Sequence, residues 1–160
     1  MEKRVGIGID FHRFCEGRRL ILGGVQIEYP LGLIGHSDAD CLIHSIVDAI
    51  LGALGEGDIG TFFPDTDMKY KDMNSMLFLE KAVQIALEKG FVVENIDCSI
   101  ICEKPKIMPY VFAIKEKLAS VLNVSHDRIG IKATTTEQMG FLGRKEGIAC
   151  MAVALLKGKE

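Results

Sequence analysis

Asp10 and His12 stand two residues apart at the end of an alternating run in which Val5, Ile7 and Ile9 are separated by glycines. Such a run reads as a β-strand ending near Asp10, and its period of two turns both side chains to one side. A third donor of the same class, His44, falls inside a predicted helix. Two imidazoles and one carboxylate suit zinc, or manganese or iron, and leave a coordination position for a ligand oxygen. Magnesium alone would prefer an all-oxygen set. Asp40 and Asp48 lie four residues to either side of His44, on its helix face, where one of them would orient the imidazole. By spacing alone the signal is weak: D-x-H is common, and a lone helix histidine such as His44 is more often a satisfied core residue.

The elements that position these residues follow from pattern. Leu20 to Leu22 and Val25 to Ile27 flank Gly23-Gly24 as a hairpin, and Tyr29 to Gly35 is a loop. Ser37 opens a helix as its cap, with Asp38 and Asp40 at the positive end. Leu42, Ile46, Ala49, Ile50 and Ala53 recur at helical spacing until Gly55 and Gly57. Asp58 to Lys71 is a polar loop. Asn74 or Ser75 caps a second helix that ends at Gly90. Phe91 to Cys102 is a strand, and Pro109 suits the first turn of a third helix reaching about Leu122. Ile129 to Ala133 is a strand, Thr134 to Gly147 a glycine-bearing loop, and Ile148 to Leu156 the last strand.

That last strand is apolar at both alternating sets of positions, so both faces of its sheet must be covered. Three helices cover about one face of a sheet of about four strands. The simplest cover for the other face is the same sheet in neighbouring subunits. The expected fold is therefore α+β: a mixed sheet of about four strands, helices on one face, the other face packed in a closed homo-oligomer.

A chain of 160 residues fits one domain, residues 1–160, and 48% hydrophobic residues supply a core. The net charge of −3 offers no basic field, so nucleic acid is not an expected partner. An anionic ligand would need local cations, a metal or backbone donors. The five cysteines form no C-x-x-C pair and sit mostly in apolar runs, which reads as buried thiols in a reducing compartment. No run is long enough to span a membrane, so a cytoplasmic protein is expected, or a plastid one after removal of a transit peptide.

Six stretches then occur in order: Gly8-Ile-Asp-Phe-His12; Gly35-His-Ser-Asp-Ala-Asp40 with His44; Gly57-Asp-Ile-Gly60; Phe63-Pro-Asp-Thr-Asp67; Lys104-Pro-Lys106; and Ala133-Thr-Thr-Thr-Glu137 with Gly140-Phe141. Together they resemble the 2-C-methyl-D-erythritol 2,4-cyclodiphosphate synthase family of non-mevalonate isoprenoid biosynthesis, from about Val5 to Leu156. The resemblance implies a CMP-releasing phosphorus–oxygen lyase. Its substrate would be 4-diphosphocytidyl-2-C-methyl-D-erythritol 2-phosphate, whose 2-phosphate attacks the β-phosphorus. It also implies a homotrimer with active sites between subunits.

The resemblance further assigns residues. It puts zinc (or manganese) on Asp10, His12 and His44, and magnesium or manganese at the substrate diphosphate on Glu137. His36 and Thr135 carry catalytic roles: His36 stabilises the transition state and Thr135 holds the diphosphate for in-line attack. His36 and Ser37 form a phosphate-contacting pair beside the helix N-terminus. Asp58, Ile59 and Gly60 hold the methylerythritol end, with Phe63, Pro64, Asp65, Thr66 and Asp67 as a second substrate loop. Cys102, Glu103, Lys104, Pro105, Lys106, Ile107 and Met108 form the cytidine pocket. Thr134, Thr135, Thr136 and Glu137 line the diphosphate, and Asp10, Phe11 and His12 also touch substrate. Phe141 and Arg144 lie near the trimer axis, where an isoprenoid diphosphate would bind. His126 matches no motif and reads as a surface histidine.

Two other classes fit parts of the pattern. An iron oxygenase or metallophosphohydrolase shares the donor types, but the oxygenase order is H-x-D/E on a β-barrel. A trimeric nucleotide-binding or isoprenoid-sensing module needs no catalytic cations, which the triad together with Glu137 would supply.

Overall fold

The computed structural model describes all residues, Met1–Glu160. Its longest strands are β1 (Lys3–Cys15), β5 (Phe91–Ile101) and β7 (Gly147–Gly158), joined by β6 (Ile129–Thr134) and the two-residue β4 (Gly32–Leu33) in the order β4-β1-β7-β5-β6. The sheet is mixed: β1–β7 and β7–β5 run antiparallel, β5–β6 parallel. A separate hairpin pairs β2 (Leu20–Leu22) with β3 (Val25–Ile27). Three long helices, α1 (Cys41–Ala53), α3 (Met76–Glu88) and α4 (Val111–Leu122), cover one face. The expected α+β class stands, with five strands in place of about four because β4 is too short to leave a pattern.

The sequence places the end of the first strand near Asp10, yet β1 continues to Cys15. Its partner decides this: β7 pairs with it through Arg13↔Gly147, and β4 takes over at Phe14↔Leu33 and Cys15↔Gly32. The loops are also more ordered than their polarity suggests. Asp58 to Lys71 holds the four-residue helix α2 (Ile59–Phe62) and a 3-10 turn at Met68–Tyr70. Thr134 to Gly147 holds α5 (Gly140–Gly143).

Two glycines set how closely α1 lies on β1. A Cβ on Gly6 would stand 1.9 Å from the Ala49 carbonyl oxygen, and one on Gly8 1.9 Å from that of Ser45. Neither is a contact that any side chain tolerates, so α1 rests on bare backbone. Residue 44 is thereby carried over Asp10 and His12. The cap of α1 is Asp40, not Ser37. Its carboxylate accepts from Ile43 N and fastens the β2–β3 turn through Gly23 N (2.9 Å) and Gly24 N (2.8 Å). Burial pushes this carboxyl up to about 6, while the backbone N–H groups pull the other way.

The opposite face of the sheet is apolar and open. Val5, Ile7, Ile9 and Phe11 on β1, and Met151 and Val153 on β7, are between 37% and 67% exposed. The alternate β7 residues Ile148, Cys150, Ala152, Ala154 and Leu156 are buried under the helices. So β7 is covered on one face by its own chain and is partly exposed on the other. All five cysteines are free, four of them buried. No helix is long and apolar enough to cross a membrane.

Gly8→Ala tests the close approach. It is expected to destabilise the fold by about 1–3 kcal/mol in urea titration, as overpacking does, and to weaken metal binding by lifting His44 away. Unchanged stability and metal affinity would contradict it.

Candidate metal centre and substrate site

Asp10 and His12 project from the helix-covered face of β1, and His44 projects from α1 toward them. One ligand atom from each lies within 4.8 Å of the other two, and all three residues are partly buried. Asp10 Oδ2 is 2.7 Å from His12 Nε2 and 3.5 Å from His44 Nδ1, and the two ring nitrogens are 3.4 Å apart. Ligands at tetrahedral positions about 2.0 Å from zinc are about 3.3 Å apart. Two of the three spacings match, and a small swing of the carboxylate supplies the third.

The far sides of both imidazoles are already engaged. His12 Nδ1 is 2.8 Å from the Ile34 carbonyl, which can only accept, so the proton sits on Nδ1 and the Nε2 lone pair faces inward. His44 Nε2 meets Ser75 Oγ at 2.9 Å and Ser37 Oγ at 3.2 Å. Asp10 Oδ2 is buried, and the only groups that face it are the inward ring nitrogens of His12 and His44. Acceptors crowded together in this way need a proton or a cation between them. The residues therefore fit a divalent metal.

The expected orienting role of Asp40 and Asp48 is not what the structure shows. Asp40 serves the turn and the helix cap. Asp48 Oδ1 accepts from Ile59 N at 2.7 Å and so holds α2. Neither bonds the ring; their oxygens satisfy backbone donors that helix spacing does not reveal.

Around the triad, His36 Nε2 donates to the Asp67 carbonyl at 2.9 Å, which leaves Nδ1 to address a ligand. Arg18 brackets this turn by donating to the carbonyls of Gly35 and Ser37. Nothing in the sequence singled out Arg18. Ser37 is buried with its hydroxyl turned to His44. Asp58 caps α2 by accepting from Thr61; in that turn Gly60 is exposed and Ile59 is half-buried against the core. Phe63 packs on Phe78 (4.4 Å between centroids) and Tyr70, an anchor for the loop, while Pro64, Asp65 and Thr66 are exposed. Phe11 points to the opposite sheet face, 6.1 Å from the Phe141 ring.

A separate cavity of about 550 Å³ is lined by Cys102, Glu103, Pro105, Lys106, Ile107, Met108, Thr134, Thr135 and Glu137, among others; Lys104 is outside it. Glu103 anchors its far wall. One carboxylate oxygen accepts from Thr136 N, Thr136 Oγ1 and Gln138 N. The hydrogen bond from Gln138 N, with those from Thr136, holds the Glu103 carboxyl below the usual range. Thr135 Oγ1 accepts from Glu137 N, and Glu137 itself has φ of 55°. Arg144 pairs with Glu146 at 2.9 Å. The cavity lies at the β6 edge and the triad on β1, at the same end of the sheet. They are three strand spacings apart, roughly 14 Å.

Protons compete for the triad. Burial pushes Asp10 up, but hydrogen bonds and charge from His12 and His44 outweigh it and hold it below 3.8. Burial pushes His12 down, but its bond to Asp10 and that charge outweigh it and raise it above 6.5. Asp10 therefore stabilises the fold above 3.8 and loses that effect as pH falls through its lowered value. His12 stabilises below 6.5 and loses its effect as pH rises through its raised value. Without metal the pair helps most between these limits. Metal, which needs the bare nitrogen, gains as the proton leaves. Thermal melts of EDTA-treated protein are expected to fall from pH 6.5 to 8.5, while the increment produced by zinc grows. An increment that shrinks over this range would contradict the site.

Comparison with known proteins agrees with this geometry. The YgbB family model matches residues 3–157. A protein of Halalkalibacterium halodurans is 53% identical over 153 residues, covering 96% of this chain and 98% of that one; one of Bacillus cytotoxicus is 51% identical over 156 residues, covering 98% and 99%. Both are named 2-C-methyl-D-erythritol 2,4-cyclodiphosphate synthase. Among solved structures, the Plasmodium falciparum IspF–CDP complex superposes with a TM-score of 0.87 at 38% identity, covering 99% of this chain and 97% of that one. The bifunctional IspDF of Campylobacter jejuni gives 0.95 at 47% identity, covering 99% of this chain and 43% of that longer one. By sequence over residues 3–157 and by fold, the chain belongs to the YgbB family.

Proposed function

We propose that this enzyme converts 4-diphosphocytidyl-2-C-methyl-D-erythritol 2-phosphate into 2-C-methyl-D-erythritol 2,4-cyclodiphosphate and CMP, in the cytoplasm, as one domain over residues 1–160. The carrying observation is the convergence of three acceptor atoms from Asp10, His12 and His44 in a chain half-identical to proteins named for that reaction.

The bond changes balance without water. An oxygen of the 2-phosphate forms a bond to the β-phosphorus. The bond from that phosphorus to the bridging oxygen breaks, and its electron pair leaves with CMP. The nucleophile is already an anion, so no general base is required. The difficulty is repulsion: two unit charges at 4 Å repel by roughly 4 kcal/mol at an effective dielectric near 20. Asp10, His12 and His44 would hold zinc or manganese, and Glu137 magnesium or manganese, which when bound supply the charge neutralisation this requires.

The chain's own groups do the positioning. The Glu103-anchored cavity, with Lys106 at its mouth and Ile107 and Met108 on its wall, takes the cytidine. Lys104 would act from outside that cavity. Thr134, Thr135 and Thr136 border the diphosphate, with Thr135 aligning it. His36, held by Asp67, directs Nδ1 to a phosphate beside Ser37. Asp58 to Gly60 and the loop Pro64 to Asp67, seated by Phe63, enclose the methylerythritol end.

A roughly 14 Å gap separates triad from cavity within one chain. A homotrimer packed through Val5, Ile7, Ile9, Phe11, Met151 and Val153 would set the cavity of one subunit against the triad of the next. A shallow cavity of about 220 Å³ between Phe11, Phe141 and Glu146, close to Arg144, is the place for an isoprenoid diphosphate in that core.

Incubation with the cytidine-linked substrate, zinc and magnesium is expected to give CMP and the cyclic product by phosphorus NMR. A linear monophosphate would indicate a hydrolase, and tight nucleotide binding without turnover a sensor. His44→Ala is expected to lose zinc and about 100-fold or more in turnover; wild-type turnover in the metal-stripped variant would refute its role. Sedimentation is expected to give three times the chain mass, and Ile7→Lys to shift it to monomer with loss of turnover. An active monomer would overturn the shared site.

A further inference from the structure

His44 carries its two ring nitrogens into different surroundings. Nδ1 faces Asp10 and His12, and Nε2 faces the hydroxyls of Ser75 and Ser37. Which nitrogen bears the proton decides whether Nδ1 offers a lone pair inward. A hydroxyl can donate or accept, so the serines alone do not settle it.

Asp38 settles it. Its carboxylate accepts from Ser75 N at 2.9 Å and from the Ser75 hydroxyl. An ionised carboxylate only accepts, so the hydroxyl proton is directed to Asp38. Ser75 Oγ then has only lone pairs for His44, and at 2.9 Å it is nearer Nε2 than the Ser37 hydroxyl at 3.2 Å; two lone pairs facing at that distance would repel, so Nε2 is the protonated nitrogen. The three groups are held rigidly. Ser75 is fully buried, Asp38 N donates to the Met73 carbonyl at 3.1 Å, and Asp38 Oδ1 also accepts from Asp40 N. Ser75 stands where α3 would take its cap, yet its side chain makes no capping bond; Asn74 Oδ1 accepts from Met76 N instead. A capping serine stabilises a helix N-terminus, and here the hydroxyl is committed to Asp38 and His44 instead.

We propose that Asp38 and Ser75 are positioning residues for the metal site: they lock His44 in the tautomer with the proton on Nε2 and so present the Nδ1 lone pair to the cation. This rests on the metal reading of Asp10, His12 and His44. It deepens that reading by naming the groups that make one ligand competent. Such outer partners typically change metal affinity 10- to 100-fold.

The test uses full-length protein labelled with nitrogen-15 histidine and treated with EDTA at pH 8. Long-range proton–nitrogen correlation is expected to show His44 protonated on Nε2. Ser75→Ala is expected to give mixed tautomers and zinc affinity about 10- to 100-fold weaker by chelator competition, with Ser75→Thr restoring both. Asp38→Asn, whose amide can donate to Ser75, is expected to move the proton population toward Nδ1. A wild-type His44 protonated on Nδ1, or a Ser75→Ala protein with unchanged tautomer and affinity, overturns the proposal. If Ser75→Ala does not fold, the wild-type spectrum alone decides. Failure of the wild type to bind zinc would remove the metal reading, and the spectrum would still decide the relay.

Discussion

The closest constraint in this molecule is the seating of α1 on the bare backbone of β1. At Gly6 and Gly8 the carbonyls of Ala49 and Ser45 occupy the space a Cβ would need. Nearly every feature of the metal centre depends on that distance. Asp10 and His12 are fixed to one face by strand period. Only a helix lying this low brings His44 close enough for the three donor atoms to meet. A helix on a sheet packed through ordinary side chains stands about 10 Å away, too far for a short histidine and a short aspartate to share one ion.

The sheet divides its labour by face and by end. The face under the helices is the core, and its β1 terminus holds the triad. The other face is apolar at β1 and β7, but carries the Asp97–Lys132 ion pair toward β6. An edge with polar cover on one side and bare aliphatics on the other is suited to packing against copies of itself through the apolar half. The nucleotide-sized cavity then falls on the polar half. The separation of the two within one chain is the distance that the proposed trimer would bridge.

Much of this was legible in the sequence because it depends on period and residue type. The D-x-H pair, the helix carrying His44, the long doubly apolar last strand and the hairpin at Gly23-Gly24 each follow from local rules. What stayed hidden depends on who reaches whom. Ser37 and Asp40 have similar capping preference, and only the position of the β2–β3 turn decides that Asp40 serves. Asp40 and Asp48 share the face of His44, yet backbone donors from distant loops claim them. The resemblance placed Glu103 only as one residue of the cytidine pocket, Ser75 read as a helix cap, and nothing marked Arg18. Their roles come from contacts across 17 to 38 positions, which no window of local pattern covers. The two-residue β4 is simply shorter than any periodic signal.

The same contacts explain why the site tolerates so much buried polarity. An aspartate oxygen and two ring nitrogens facing one another would be a costly defect in a core. Here each outward nitrogen has a specific acceptor, the Ile34 carbonyl for His12 and the Asp38-directed Ser75 hydroxyl for His44. Those acceptors hold protons away from the centre, and the cost of the inward lone pairs becomes affinity for whatever cation fills the gap. At acidic pH a proton on His12 is the available filler, and its bond to Asp10 is the 2.7 Å contact seen here. The fold thus stabilises neither the protonated nor the metal-bound triad alone. It holds three donor atoms poised for positive charge, and pH and metal supply decide which cation meets them.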